Sequence, residues 1–459
     1  MIRLIEGAAA ASPSHTAVVT PEGSTSYGEL LHDARRVAAA LQGRNITRFA
    51  IVEPDAAWVI RLLAGAALAG AEPCQYQADI EALEFEEQAR ALGHSVVVTR
   101  RPDLGGPLEI IRPQELTGQA SHQIVQSAGA QPLMIRTTGT TGLPKAARHD
   151  WQFLARTVAG IRPMPNQRWL LAYGPHQFAG IQVLLHVIAC QATLLAPFPR
   201  QPRDGLEALL TDRVTCVSAT PTYWRFLLAE ARSRKVKLPR LQQVTLGGEA
   251  SPADLLEELK TSFPDARVSQ VYASTEFGSV SSVKDGLPGI GVDALFSESN
   301  PTLNLRVKDG ELWVRAVAGM IGYAGESGAD PSIAAAEGWQ ATGDLVEIVG
   351  ERVLFRGRKS EVINVGGVKV HPLPVEDRIT SLESVALARV FGRANPLTGA
   401  IVAVEIIPMS GLAEADVESI RLEIKSAVAD LPRAWHPRSV TFVDAFETRG
   451  EKTVRRMEE

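Results

Sequence analysis

At 459 residues, 45% of them hydrophobic, the chain exceeds one ordinary core, so two or more domains are expected. Its net charge of −5, with both signs interspersed, argues against nucleic acid or an anionic membrane as the main partner, so a polyanionic ligand would need a local site. Three widely separated cysteines, Cys74, Cys190 and Cys216, make neither a disulfide framework nor a metal knuckle and read as buried structural thiols.

From the start of the chain, MIRLIEGAAAASPS lacks the charged opening and sustained apolar core of a signal peptide, and no stretch approaches the length of a membrane span. The chain therefore reads as cytoplasmic. In YGELLHDARRVAAALQG, Leu30, Leu31, Ala34, Val37, Ala38 and Leu41 recur at helical spacing, and Gly43 suits a C-terminal cap. Short β-branched runs then alternate with helical ones: FAIVEP, SVVVTR, PLMIRTTG, RVTCVSAT, LQQVTLGG and RVSQVYAS, each ending in Gly, Ser, Thr, Pro or a short polar run. Strands that end in small polar loops, with helices between them, predict an α/β sheet whose ligands gather at the carboxyl ends of the strands.

After about residue 305 the texture changes. GELWVRA and LVEIVGERVLFRGR read as antiparallel strands, the second run turning at Val349-Gly350-Glu351. Beyond Arg358 a strand pair, VALARVFG and GAIVAVEII, brackets a polar loop with Asn395 and Pro396. Val417, Ile420, Ile424, Val428 and Leu431 then form a helical face that Pro432 is expected to end. The expected architecture is a large N-terminal α/β domain with a small antiparallel β section, residues 1–357, and a smaller mobile α+β domain, residues 358–459.

The stretch TTGTTGLPK, Thr137 to Lys145, concentrates hydroxyls, bare backbone amides and a lysine, the donors a polyphosphate needs. It is a poor Walker loop, because Ala146 follows Lys145 where a hydroxyl should hold magnesium. RTTGTTGLPKAA instead resembles the phosphate loop of the acyl-adenylate-forming superfamily, which includes acyl-CoA synthetases, aryl-acid ligases, luciferases and the adenylation domains of nonribosomal peptide synthetases. Further segments follow in that family's order: LGGEASP at 246–252, YASTEFG at 272–278, GELWVRAVAGMIGY at 310–323, ATGDLVEI at 341–348, FRGRKSEVINVGG at 355–367 and TRGEKTVRR at 448–456. Together they cover nearly the whole chain.

The resemblance implies an AMP-forming carboxylate ligase that uses ATP and Mg2+. A carboxylate attacking a triphosphate is repelled by it, so the site must screen charge and hold an in-line geometry while pyrophosphate leaves. Thr137, Thr138, Gly139, Thr140, Thr141 and Gly142 would hold the β- and γ-phosphates, with Lys145 adding charge. In YASTEFG, Tyr272 is expected against adenine beside Ala273 and Ser274, Thr275 at the α-phosphate, and Glu276 on the magnesium ion. Gly247, Gly248 and Glu249 would border the adenine, Asp344 would accept both ribose hydroxyls, and Arg358 would lie near ribose and phosphate. Lys452 aligns with the family's mobile lysine, which bridges the substrate carboxylate and the α-phosphate. The chain departs from the family's pattern at Ala273 (usually Gly), Ser360 at the hinge (usually Asp or Lys), Asn364 (often Lys) and Glu451 (usually Gly).

For the acid, AYGPHQFAGIQV corresponds to the acyl site. No Asp or Glu occurs from Trp151 through Arg203, so an α-amino acid, whose buried ammonium would lack a counter-charge, is disfavoured. Phe178 and Gly180 are expected to form a slot for an aryl or other apolar acid, with His176 and Gln177 at its edge; a hydrogen-bonded core pair is an equal reading of the last two. Gly366 and Gly367 would complete a pantetheine tunnel after rotation of the C-terminal domain about Ser360. The acceptor is then coenzyme A, the phosphopantetheine of a separate acyl or peptidyl carrier protein, or an amine. A non-catalytic nucleotide-binding relative is the competing class.

Overall fold

The computed structural model describes residues 1–104, 106–118, 129–137, 145–196, 201–296, 303–316, 319–324, 338–409, 417–446, 448–449 and 452–453. Two large, mainly parallel sheets dominate it. The first has eight strands in the spatial order Gly278–Val283, Arg267–Ser274, Gln243–Gly247, Cys216–Ala219, Arg168–Leu171, Thr193–Leu195, Thr16–Thr20 and Gly23–Ser26. Its six inner strands run parallel, and an antiparallel strand closes each edge. The second has seven strands in the order Gly322–Tyr323, Lys145–Asp150, Pro132–Thr137, Glu72–Gln75, Arg48–Val52, Val96–Thr99 and Glu109–Ile111.

Helices Ile2–Ala11, Tyr27–Gly43, Ala56–Ala69 and Phe178–Ala189 share one apolar core with residues of both sheets, among them Val18, Leu171, Phe49, Ile51 and Ile135. The sequence of Ala56–Ala69 explains its central place. It is apolar nearly all round, only Trp58, Arg61 and Ala69 escape full burial, and such a helix is stable only when covered on every side. The other face of the first sheet is covered by helices Pro202–Thr211, Pro221–Ser233 and Ala253–Ser262, whose leucines meet Val217, Val244 and Leu246. Cys74, Cys190 and Cys216 are all buried and free, and burial pushes their thiols up to about 12, 11 and 12.

A five-stranded sheet, Ile290–Gly291, Arg352–Arg358, Gln340–Val349, Glu311–Ala316 and Leu303–Lys308, follows, and all its pairings are antiparallel. The C-terminal sheet then joins Val385–Asn395 and Gly399–Pro408 as a long hairpin, with Ser439–Phe442 parallel to the second strand. Asn395 fixes the hairpin loop, its Oδ1 accepting from the amides of Leu397 and Thr398.

Two expected helix ends shift. The helix that opens at Tyr27 ends on Gly43 itself, and the left-handed residue is Asn45, with φ of 54°, a conformation that asparagine tolerates. The helix from Val417 ends at Ala427 rather than at Pro432. Tighter turns, Ala429 N–H to the Ser426 carbonyl and Leu431 N–H to the Val428 carbonyl, continue the chain and keep Val428 buried.

Candidate functional site

The threonine-rich stretch joins two paired strands. Pro132–Thr137 and Lys145–Asp150 are antiparallel, Thr137 lies opposite Lys145, and the Thr137 hydroxyl donates to the Lys145 carbonyl at 3.3 Å. A Walker loop runs from a strand into a helix, so this hairpin footing separates the two classes of phosphate loop. Thr138, Gly139, Thr140, Thr141 and Gly142 lie outside the described residues.

From the hairpin a chain of contacts leads across to YASTEFG. Lys145 Nζ sits 4.7 Å from the centre of the Tyr323 ring, and Tyr323 Oη donates to Glu276 Oε1 at 3.1 Å. The Tyr323 segment is held at both ends: Met320 N–H donates to the Glu276 carbonyl at 2.9 Å and Tyr323 pairs with Ala147 on the hairpin. Thr275 and Glu276 ride a tight turn closed by Ser274 opposite Gly278, in which Ser274 Oγ accepts from Phe277 N–H at 3.0 Å. Among the described residues no group of three or more His, Cys, Asp and Glu is assembled for a metal. A single carboxylate linked to Lys145 through Tyr323 would suit Mg2+, which is commonly held by one or two protein carboxylates plus substrate phosphates.

A second cluster lies where strand Arg267–Ser274 faces the antiparallel sheet. The Tyr272 ring packs 4.9 Å from that of Phe355, and its hydroxyl donates to Asp344 Oδ2 at 2.6 Å. Arg358 Nε pairs with Asp344 Oδ1 at 2.8 Å. Burial and the neighbouring Asp344 charge hold the Tyr272 phenol protonated well above its ordinary range. Each oxygen of Asp344 thus has a protein donor, so the ribose contact expected of it would be an added hydrogen bond.

Other expected residues have structural duties. Gly247 ends the strand Gln243–Gly247 and Gly248 follows it, and the Gly247 carbonyl accepts from Tyr173 Oη at 2.9 Å. Glu249 Oε2 accepts from Thr222 N–H at 3.0 Å and Thr222 Oγ1 at 2.7 Å, bracing the first turn of Pro221–Ser233. Ala273 packs against the main core.

At the segment expected to line the acyl slot, a Cβ on Gly180 would meet the Gly174 carbonyl oxygen at 2.0 Å, so Gly180 admits a close crossing of chain segments. Gln177 Oε1 accepts from Gly174 N–H at 3.1 Å, which spends one of its groups within the protein. A Cβ on Gly174 would in turn strike the His176 ring. Phe178, first residue of its helix, lies with its ring centre 6.0 Å from that of His149. Burial pushes His149 down to about 4, so it stays neutral at pH 7.

Toward the C-terminus, Ser360 lies in the short turn Lys359–Glu361. Gly366 and Gly367, with φ of 57° and 88°, turn Ile363–Val365 into Val368–Val370, and Asn364 Oδ1 accepts from Gly367 N–H at 3.0 Å. Lys452 falls on the strand Lys452–Thr453, paired with Thr448–Arg449; its side chain lies outside the described residues.

Contacts therefore link Lys145 to Glu276 through Tyr323, and Tyr272 to Arg358 through Asp344. Tyr323, Phe355, His149 and Glu311 were not singled out from the sequence. Tyr323 and Glu311 stand inside the quoted motif at 310–323, and a glutamate within the apolar strand ELWV was the available signal for a buried carboxylate.

This geometry accords with comparison to known proteins. A family model described as AMP-binding enzyme matches residues 5–324, and one described as AMP-binding enzyme C-terminal domain matches residues 359–439. The chain belongs to the AMP-binding enzyme family. Among relatives, the 2-succinylbenzoate–CoA ligase of Bacillus velezensis is 27% identical over 286 residues, 58% of this chain and 57% of that protein. Its counterpart from Bacillus subtilis is 24% identical over 420 residues, 85% of this chain and 84% of the relative. The alignments thus span from just over half to most of the relatives' length. In fold, the chain matches the crystal structure of the anthranilate CoA ligase AuaEII in complex with anthranoyl-AMP, with a TM-score of 0.85, 18% identity and coverage of 99% and 95%.

Proposed function

We propose that the protein is an ATP-dependent, AMP-forming ligase that activates a non-amino carboxylic acid, aryl or otherwise apolar, and passes the acyl group to a thiol. The observation that carries this reading is the pair of contact clusters, Lys145–Tyr323–Glu276 and Tyr272–Asp344–Arg358, on segments that match the family's ordered motifs. The first offers charge for phosphates and the second a carboxylate for ribose.

In the first half-reaction the acid's oxygen attacks the α-phosphorus of ATP and the bond to pyrophosphate breaks, giving acyl-AMP. Thr137 to Gly142 and Lys145 position the leaving phosphates, Thr275 the α-phosphate, and Glu276 would hold a magnesium ion that offsets phosphate charge. Asp344 and Arg358 orient the ribose, with Tyr272 beside the base. Lys452 stabilises charge between carboxylate and phosphate. In the second half-reaction a thiol sulfur attacks the acyl carbon and AMP leaves. We place the domain boundary between Arg358 and the residue before it, with Ser360 as hinge and the Gly366-Gly367 turn along the thiol path. The thiol is coenzyme A, by analogy with the relatives, or a carrier-protein phosphopantetheine, and the unpaired buried cysteines suit a cytoplasmic setting.

The test is acid-dependent ATP–pyrophosphate exchange across a panel of benzoates, apolar acids and amino acids, followed by mass spectrometry of products with coenzyme A, a pantetheinylated carrier or an amine. Benzoate-type or apolar acids should lead and a thioester should form. A best response to an amino acid overturns the substrate class, and the absence of any acid-dependent exchange overturns the ligase reading.

A further inference from the structure

Glu311 is a carboxylate in an unlikely place. It opens the strand Glu311–Ala316, is 6% exposed, and precedes the fully buried Leu312. A charge so enclosed is costly unless each oxygen is matched. Both are: Oε1 accepts from Gly343 N–H at 3.0 Å, and Oε2 pairs with Lys359 Nζ at 2.9 Å.

The two partners belong to different parts of the machinery. Gly343, with φ of 75°, sets the turn that delivers Asp344 to Tyr272 and Arg358. Lys359 is the last residue before Ser360, which carries no charge of its own, and Arg358 before it is tied to Asp344. The chain thus enters the hinge position with two consecutive basic residues, each anchored to an enclosed carboxylate of the N-terminal body.

We infer that Glu311 is a positioning residue that couples the nucleotide turn to the hinge: one oxygen sets Asp344, and the other pins Lys359 so that rotation begins at Ser360. Without the pin the pivot would spread back toward Arg358, and the C-terminal domain would reach its thiol-transfer orientation less often. The inference rests on the ligase reading for its kinetic readouts, whereas hydrogen exchange reports on it regardless of activity.

Lys359→Met removes the pin at an exposed side chain, Lys359→Arg restores the charge, Glu311→Gln keeps an acceptor for Gly343, and Glu311→Ala removes both contacts. Lys359→Met and Glu311→Gln should each speed amide exchange over residues 358–362 and slow thioester formation by about three- to tenfold, with the ATP KM within about twofold of the parent. Their combination should be no worse than either alone. Lys359→Arg should restore both readouts, and Glu311→Ala should add a several-fold rise in the ATP KM. Unchanged hinge exchange in Lys359→Met, or additive effects in the double variant, overturns the coupling. A parent protein without acid-dependent exchange sinks the ligase reading alone, since the amide-exchange comparison still decides this one.

Discussion

Replacing Tyr272 with phenylalanine deletes one oxygen and leaves the ring against Phe355, whose centre lies 4.9 Å away. The lost contact is the 2.6 Å donation to Asp344 Oδ2, made to a side chain only 13% exposed. A hydrogen bond to a charged group is worth about 1.5–3 kcal/mol net. Arg358, at 2.8 Å from the other oxygen, retains part of the restraint, but it is half exposed and solvent screens it. The loss of orientation at Asp344 should therefore fall at the lower end, about 1.5–2 kcal/mol, or roughly a twelve- to thirtyfold weaker ATP complex. Isothermal titration of ATP into parent and variant measures this directly, and a matching rise in the ATP KM of pyrophosphate exchange should accompany it. Near-ultraviolet circular dichroism and the melting profile report whether the ring packing survived. An unchanged or tighter complex would show that the Tyr272 hydroxyl competes with the ribose for the carboxylate, and the positioning argument would fail.

Lys452→Ala should leave ATP binding nearly intact while cutting adenylate formation by orders of magnitude, and a near-parental rate with the cognate acid would remove Lys452 from the mechanism. Gly180→Ala forces a methyl to within 2.0 Å of a backbone carbonyl oxygen, so it should cost about 1–3 kcal/mol of stability, read as a lowered urea midpoint. An unshifted midpoint would mean that the segment relaxes freely. His94, His149 and His186 are each pushed down from 6.5 to about 4, with burial the largest cause in all three. The unfolded chain binds these protons first, so stability is full above about pH 6.5 and falls as pH drops toward about 4, with about three protons taken up on unfolding. Urea midpoints across that window measure the slope; a flat profile contradicts enclosed neutral imidazoles, and His186→Gln should remove about one proton from it.

The fold was legible wherever a local pattern is enforced by one dominant force. The alternating strands and the amphipathic Tyr27–Gly43 helix follow from burial alone, and their spacing survives any packing detail. Asp344 and Tyr272 were legible as candidate site residues through their motifs, but their mutual bond was not, because 72 positions separate them in the chain. Gly180 shows the opposite limit. A glycine in a predicted binding segment signals either open space or a crossing backbone, and only the three-dimensional placement of Gly174 distinguishes the two. The internal contacts of Glu249 and Gln177 were equally illegible, since a polar residue in a motif has no local mark showing that an acceptor atom is used by Thr222 or Gly174.

The late pairing of Gly322–Tyr323 with Lys145–Asp150 bears on biosynthesis. A ribosome that has released the first sheet and the threonine hairpin has still produced no brace for Glu276, because the tyrosine that reaches it is decoded about 180 codons after Lys145. Asp344 and Arg358 emerge later again. Nascent chains should therefore fold their apolar interior well before they acquire any grip on nucleotide, so translation itself spaces structural maturity from ligand competence.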